Sequence, residues 1–347
     1  TSIAHGSSSK QLYRFHVQSM FPGWLVLLPA FAAAEREQLD ESYETQFLQV
    51  ALSTNVSTTE VADHKRDLVL MHIPYNFGHT VEEVAFAGSG KHGLYIHGQI
   101  LASSKNQPAT ERLKLLEAAG QPGCEVWGHL HPMLQDISSV TGCPMYFTPA
   151  KHWPTELAQA YFGNKTVFGM LRDPYERLVA FFRGNFPGYG GHYPEEHATC
   201  DVDTAVRNMM HKYLAGDIYA EGCTFLPQAE FFDPPFGITL PVDNRQFPDS
   251  ANHLLAAHGY ANMHIATEDV MHVEGCNEVW AGDLSCETKA LVRQVYARDF
   301  ALLCKFFGYC DVNENVCLQK VPDMCPTNLS QKTAVVACDE ARMTNAA

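Results

Sequence analysis

"LVLMHIPYNFGHTVEEVAF" (residues 68–86) decides the fold. Residues 67–74 form a short apolar run of buried-strand type, and "TVEEVAFA" (residues 80–87) carries its apolar side chains at helical spacing. A tight loop, "PYNFG", separates the two. Strand, loop and helix in this order make a ready phosphate site, because first-turn amides lack intrahelical acceptors and the helix dipole adds positive potential. Here those amides belong to Gly78, His79 and Thr80, and Thr80 adds a hydroxyl. The loop has no lysine, so the charge to face a bound anion must come from elsewhere.

The same grammar repeats outward from this stretch. "CEVWGHLH" (residues 124–131) has the pattern of a second strand, ending in histidines, and "TELAQAYFG" (residues 155–163) that of a helix closed by Gly163. "KTVFGMLR" (residues 165–172) is expected to be a third strand, broken at Pro174, with a helix leaving it. "VDTAVRNMMHKYLAG" (residues 202–216) is expected to be a helix stopped by Gly216. "MHIATED" (residues 263–269) follows as a late strand, and residues 286–309 as one long amphipathic helix. Alternating strands and helices predict an α/β fold of three layers, a central parallel sheet flanked by helices. Ligands in such sheets bind at the carboxyl ends of strands, where Pro74, His129 and Arg172 lie. A guanidinium at Arg172, with Arg177 a turn later, suits bidentate capture of an oxyanion. Two anion sites at neighbouring strand ends suggest a nucleotide with phosphates at both ends of its ribose.

Composition sets outer bounds. Of 347 residues, 46% are hydrophobic and 18% charged, the balance of a globular chain able to bury a full core. The net charge of −15 repels nucleic acid, so no nucleic-acid partner is expected. It also weighs against a long anionic polymer as substrate unless a local basic groove overrides it. Seven of the eleven cysteines fall from Cys276 onward, and no C-x-x-C pair occurs, which argues for a disulfide staple over a zinc ribbon. Such staples need an oxidising compartment, and sequons at Asn55, Asn164 and Asn328 fit a secretory route. The Golgi lumen or the cell exterior is therefore the expected location. "MFPGWLVLLPAFAAA" (residues 20–34), interrupted by Pro22 and Pro29, is too short to span a bilayer. It is either a remnant of a signal region or a segment packed on the core.

Several of these stretches resemble one family. "HIPYNFGHTVEE" resembles the 5′-phosphosulfate loop of sulfotransferases, H-I-P-K-T-G-G-T-S-I-E in the carbohydrate branch. "FGMLRDPYERLVAFF" resembles their 3′-phosphate element, R-D-P-x-E-R-x-x-S-x-Y. "WGHLHP" is similar to the segment carrying the catalytic histidine of uronyl and heparan sulfate 2-O-sulfotransferases. "FLPQAEFF", "MHIATEDV" and "YARDFALLCKFFGY" resemble later blocks of that branch, so the likeness runs from about residue 67 to 310 in order. The resemblance implies a P-loop-like fold that binds 3′-phosphoadenosine 5′-phosphosulfate (PAPS), releases PAP and needs no metal. It implies a glycan or a small hydroxylated or amino metabolite as acceptor. It assigns nucleotide binding to Pro74, Tyr75, Asn76, Phe77, Gly78, His79, Thr80, Arg172 and Arg177, and the base to His129.

This chain departs from the pattern in two places. The family lysine is Tyr75, followed by Asn76 and Phe77, and the family serine is Ala180. A replacement cation is sought among His79, Lys91 and Lys151, with Lys151 and His79 favoured because each sits beside the loop or a strand end. The alternative is a protein that kept the fold and lost turnover. The expected division is an extension or linker at 1–66, a sulfotransferase domain at 67–310 and a cysteine-rich tail at 311–347.

Overall fold

Alternation along the first strand sends Leu68 and Leu70 to one face of a sheet, and Val69, with Met71 and Ile73 beyond it, to the other. The computed structural model describes residues 66–87, 106–108, 111–112, 114–115, 118, 126, 128, 131–184, 192–270, 275–330, 332 and 338. Three strands form the sheet: β1 (Leu68–Leu70), β2 (Thr166–Leu171) and β3 (Leu240–Asp243). All pair in parallel in the order β1-β2-β3, with Leu68 opposite Thr166 and Phe168 opposite Leu240. The main helices are α1 (Gly78–Ala87), α2 (Thr155–Tyr161), α3 (Pro174–Arg183), α4 (Val202–Leu214), α5 (Asp249–Ala257), α6 (Cys286–Val295) and α7 (Ala297–Phe307).

Each face of the sheet is covered. Val81 and Val84 of α1 and Leu254 and Leu255 of α5 pack on Leu68, Leu70, Phe168 and Met170. Ala158 and Tyr161 of α2, with Trp153 and Phe162, cover Val69 and Val167. A further apolar cluster joins α3, α4, α6 and α7 through Tyr175, Phe182, Val206, Met209, Val292 and Phe300. Burying one such side chain fully contributes about 1.5–3 kcal/mol, which explains why β1 and β2 are apolar on both faces. The result is an α/β fold on a parallel sheet. Asp173 caps α3, its carboxylate accepting from the amides of Tyr175 (3.0 Å) and Glu176 (3.1 Å), and Pro174 occupies the first turn. That cap fixes the direction in which the chain leaves β2.

Three expected elements differ. Residues 124–131 give no strand where they are described: Val126 and Gly128 lie in tight turns, Gly128 with a left-handed φ of +46°. Gly128 instead lies against Glu82 of α1 and donates its amide to the Tyr161 hydroxyl at 2.7 Å. Residues 263–269 form no strand, ending in a 3-10 turn at Thr267–Asp269. The long helix breaks at Tyr296, which leaves helical geometry (φ −107°, ψ 27°) to bury its ring and donate its hydroxyl to the Phe225 carbonyl at 2.9 Å. A strand not foreseen, β3, contains Pro241, which is tolerated because β3 is an edge of the described sheet.

Five cysteine pairs stand at disulfide distance: Cys143–Cys223, Cys200–Cys276, Cys286–Cys338, Cys304–Cys310 and Cys317–Cys325. Asn164 and Asn328 are exposed, and no helix among the described residues is long and apolar enough to cross a membrane. Five bridges fit a secreted or lumenal protein. The 80-residue separation between Cys143 and Cys223 makes that bridge worth about 4–5 kcal/mol on the chain-entropy account. Intact-mass spectrometry of the denatured chain should therefore show two hydrogens gained per bridge on reduction, and Cys143→Ser/Cys223→Ser should lower the melting temperature by several degrees. A chain whose mass does not change with reductant would contradict the bridges.

Candidate functional site

The loop between β1 and α1 is held by its own Asn76 side chain and by two arginines from beyond β2. Tyr75 and Phe77 both adopt left-handed backbone geometry, φ 66° and 61°, which costs a non-glycine residue about 1 kcal/mol or more. Four contacts hold it there. Asn76 Nδ2 donates to the Met170 carbonyl (2.7 Å) and to Gln228 Oε1 (2.6 Å). Arg177 Nε donates to the Pro74 carbonyl (3.0 Å), and Arg172 Nη1 to the Tyr75 carbonyl (2.7 Å). The loop thereby turns the first-turn amides of α1 to the carboxyl end of the sheet.

A cavity of about 400 Å³ opens at that end. Its wall includes Gly78, His79 and Thr80 of α1, Arg172 at the end of β2, and Ala180, Phe181 and Arg183 of α3. Aromatic rings of Tyr75, Phe77, Tyr146 and Phe147 supply much of the remainder. Arg172 is 1% exposed; its guanidinium lies 4.8 Å from the Phe77 ring centroid, and Nε reaches Glu176 at 3.4 Å. Its Nη2 is buried with no hydrogen-bond partner among the described residues. Arg183, 4% exposed, donates from Nη1 to the Met324 carbonyl (2.9 Å) and from Nη2 to that of Val279. Burial, and then the like charge of Arg172, push its pKa down to about 10, so it stays cationic at neutral pH. Two buried guanidinium groups thus face one cavity in a chain of net charge −15. The wall also carries the Glu221 carboxylate, so two guanidinium groups stand there against one acid.

The expected residues sort cleanly. Tyr75, Phe77, Gly78, His79, Thr80 and Arg172 line the cavity. The Tyr75 ring stands edge-on to Phe181 at 5.1 Å and fills the space where a side chain on Gly184 would be. Pro74 and Asn76 are buried outside the lining; Pro74 acts through its carbonyl and Asn76 through its side-chain amide, in the contacts above. Arg177 also lies outside it: its three donors hold the carbonyls of Pro74, Leu226 (2.9 Å) and Thr224 (2.9 Å), a framework role. Lys151 is not part of the wall either. Burial lowers its pKa, but the hydrogen bonds to Glu230 (2.5 Å) and Asp233 (2.9 Å) prevail and raise it, which leaves its charge neutralised away from the cavity. His129 and Lys91 lie outside the described residues.

Sequence reasoning missed Arg183 and Gln228. Glu176, Ala180 and Arg183 fall at i, i+4 and i+7 on one face of α3, a spacing that would have revealed Arg183. Gln228 accepts from the Arg172 amide (2.9 Å), donates to its carbonyl (2.7 Å) and binds Asn76, so it locks strand end and loop together. Asp299 of α7, fully buried, accepts from the Gln228 amide (2.9 Å) and from the Ala229 amide (2.8 Å). Fold and site define an α/β protein with a cationic cavity at the carboxyl ends of two adjacent parallel strands. Comparison with known proteins finds no matching family model, curated protein or solved structure.

Proposed function

We propose that the protein transfers the sulfuryl group of PAPS to a hydroxyl or amine of a glycan or small metabolite, on a P-loop-like fold, in the Golgi lumen or further along the secretory route. One observation carries this: the start of α1 and Arg172, at the ends of hydrogen-bonded neighbours β1 and β2, share a single cavity. The first turn of α1 and Thr80 would bind the 5′-phosphosulfate, and Arg172 the 3′-phosphate. Ala180 lines the same cavity, where the family motif carries its serine. In the reaction the acceptor lone pair attacks sulfur and the bond from sulfur to the bridging phosphate oxygen breaks. The electron pair stays on that oxygen, leaving PAP, while the acceptor proton passes to a base, for which His129 is the candidate. Catalysis then consists of positioning and of neutralising charge on the equatorial and leaving oxygens.

The paired anion sites give a direct test. PAP should raise the melting temperature more than AMP does, since only PAP fills both sites; ligand at 100 times its Kd stabilises by about 2.7 kcal/mol. Equal shifts would remove the 3′-phosphate site. A second reading, binding without turnover, is favoured by Tyr75, which packs on Phe181 and brings no positive charge. It wins if PAP binds but a sulfate-transfer screen, including transfer to water, yields no product.

A further inference from the structure

We infer that His72, His79 and Glu82 bind a single divalent transition-metal ion of the zinc class at the wall of the cavity. One ring nitrogen from each histidine and one carboxylate oxygen of Glu82 lie within 4.8 Å of one another. A tetrahedral zinc with bonds of about 2.0–2.2 Å holds its ligand atoms about 3.4 Å apart, so side-chain rotation closes the set. The topology delivers these groups together. His79 and Glu82 stand at i and i+3 on α1, hence on one face, and His72 arrives from the residues that follow β1.

The surrounding backbone is cut to fit. His72 Nδ1 and Glu82 Oε1 are 2.7 Å apart, a contact the ion would replace. Gly78 lets the His72 ring lie where a Cβ would be 2.7 Å from Nδ1, and Gly128, at φ +46°, lies where a Cβ would be 1.6 Å from Glu82 Oε1. Glycine is therefore required beside both groups. Folding removes Glu82 completely from water, and a divalent ion neutralises that carboxylate. Two imidazoles and one carboxylate form the open type of zinc site, with a position left for a further ligand; His72 and His79 both line the cavity. Magnesium and calcium prefer all-oxygen sets, so a transition ion is selected. The inference stands on this geometry and not on sulfuryl transfer. Should both hold, the ion adds positive charge to the wall that already carries Arg183.

The test uses the whole chain, stripped with chelator and dialysed against Co²⁺ or Zn²⁺. One equivalent should bind, cobalt should show the visible bands of a four- or five-coordinate site, and zinc should raise the melting temperature. His79→Ala, at a half-buried position, and Glu82→Gln should each weaken binding by roughly tenfold or more. No stoichiometric ion, or equal binding by wild type and His79→Ala, overturns the site. PAP titration of the stripped protein is run alongside: PAP binding without metal binding sinks only the metal inference, and metal binding without PAP binding sinks only the nucleotide reading.

Discussion

Arg172→Ala is expected to weaken PAP binding by a factor of about 10² and to erase the preference for PAP over AMP. The guanidinium is 1% exposed and its Nη2 has no hydrogen-bond partner among the described residues, so a phosphate that reached it would meet a desolvated donor. Removing one partner of a buried, hydrogen-bonded charge pair costs about 2–5 kcal/mol, and 3 kcal/mol corresponds to about 150-fold. Arg172→Lys should not rescue binding. One ammonium cannot hold the Tyr75 carbonyl, reach Glu176 and offer a free donor at once. Among the described residues, loss of Arg172 also leaves the buried Glu176 carboxylate without its ion pair and with the Leu318 amide, at 3.1 Å, as its hydrogen-bond partner. Arg172→Ala/Glu176→Gln removes that stranded charge and separates folding from binding. A double variant that melts and binds PAP like the wild type would exclude Arg172 from the phosphate site.

Much of this site was legible because its signals are local. The apolar run of β1, the helical spacing of α1 and the Asp173-Pro174 start of α3 each depend on residues close in sequence, so Gly78, His79, Thr80 and Arg172 could be placed at strand ends before any coordinates. What stayed hidden depends on distant partners. Arg177 and Lys151 have the right charge near the right elements, yet backbone carbonyls claim the first and Glu230 and Asp233 the second. Nothing local to Arg177 distinguishes a framework guanidinium from a ligand-binding one. β3 was disguised by Pro241, and the break at Tyr296 by a hydrophobic pattern that continues through it. The tail offered the same difficulty: its Leu318 and Met324 reach Glu176 and Arg183, contacts spanning 142 and 141 residues. Such pairings are set by the packed whole.

Arg183→Ala is expected to lower the rate of PAP release from PAPS, with water or an identified acceptor, by about 30-fold, whereas Lys151→Ala should stay within about threefold of the wild type. Charge develops on the bridging oxygen as the sulfur–oxygen bond breaks, and a cation about 8 Å away at an effective dielectric of 20 is worth about 2 kcal/mol. Arg183 is the candidate for that cation because it is in the cavity wall and cationic at neutral pH. Lys151 does not, since its ammonium is neutralised by two carboxylates outside that wall. Tyr75→Phe should likewise cost little, because a neutral phenol brings no charge and the ring keeps its contact with Phe181. Arg183 also holds the Met324 and Val279 carbonyls, so Arg183→Lys serves as control: it keeps the charge, loses the fork and should recover part of the rate. A lysine variant as slow as the alanine variant would mean that the carbonyl contacts matter and the charge does not. If Lys151→Ala abolishes release while Arg183→Ala remains active, the missing loop charge comes from Lys151 after all, and the cavity must rearrange on binding to bring it in.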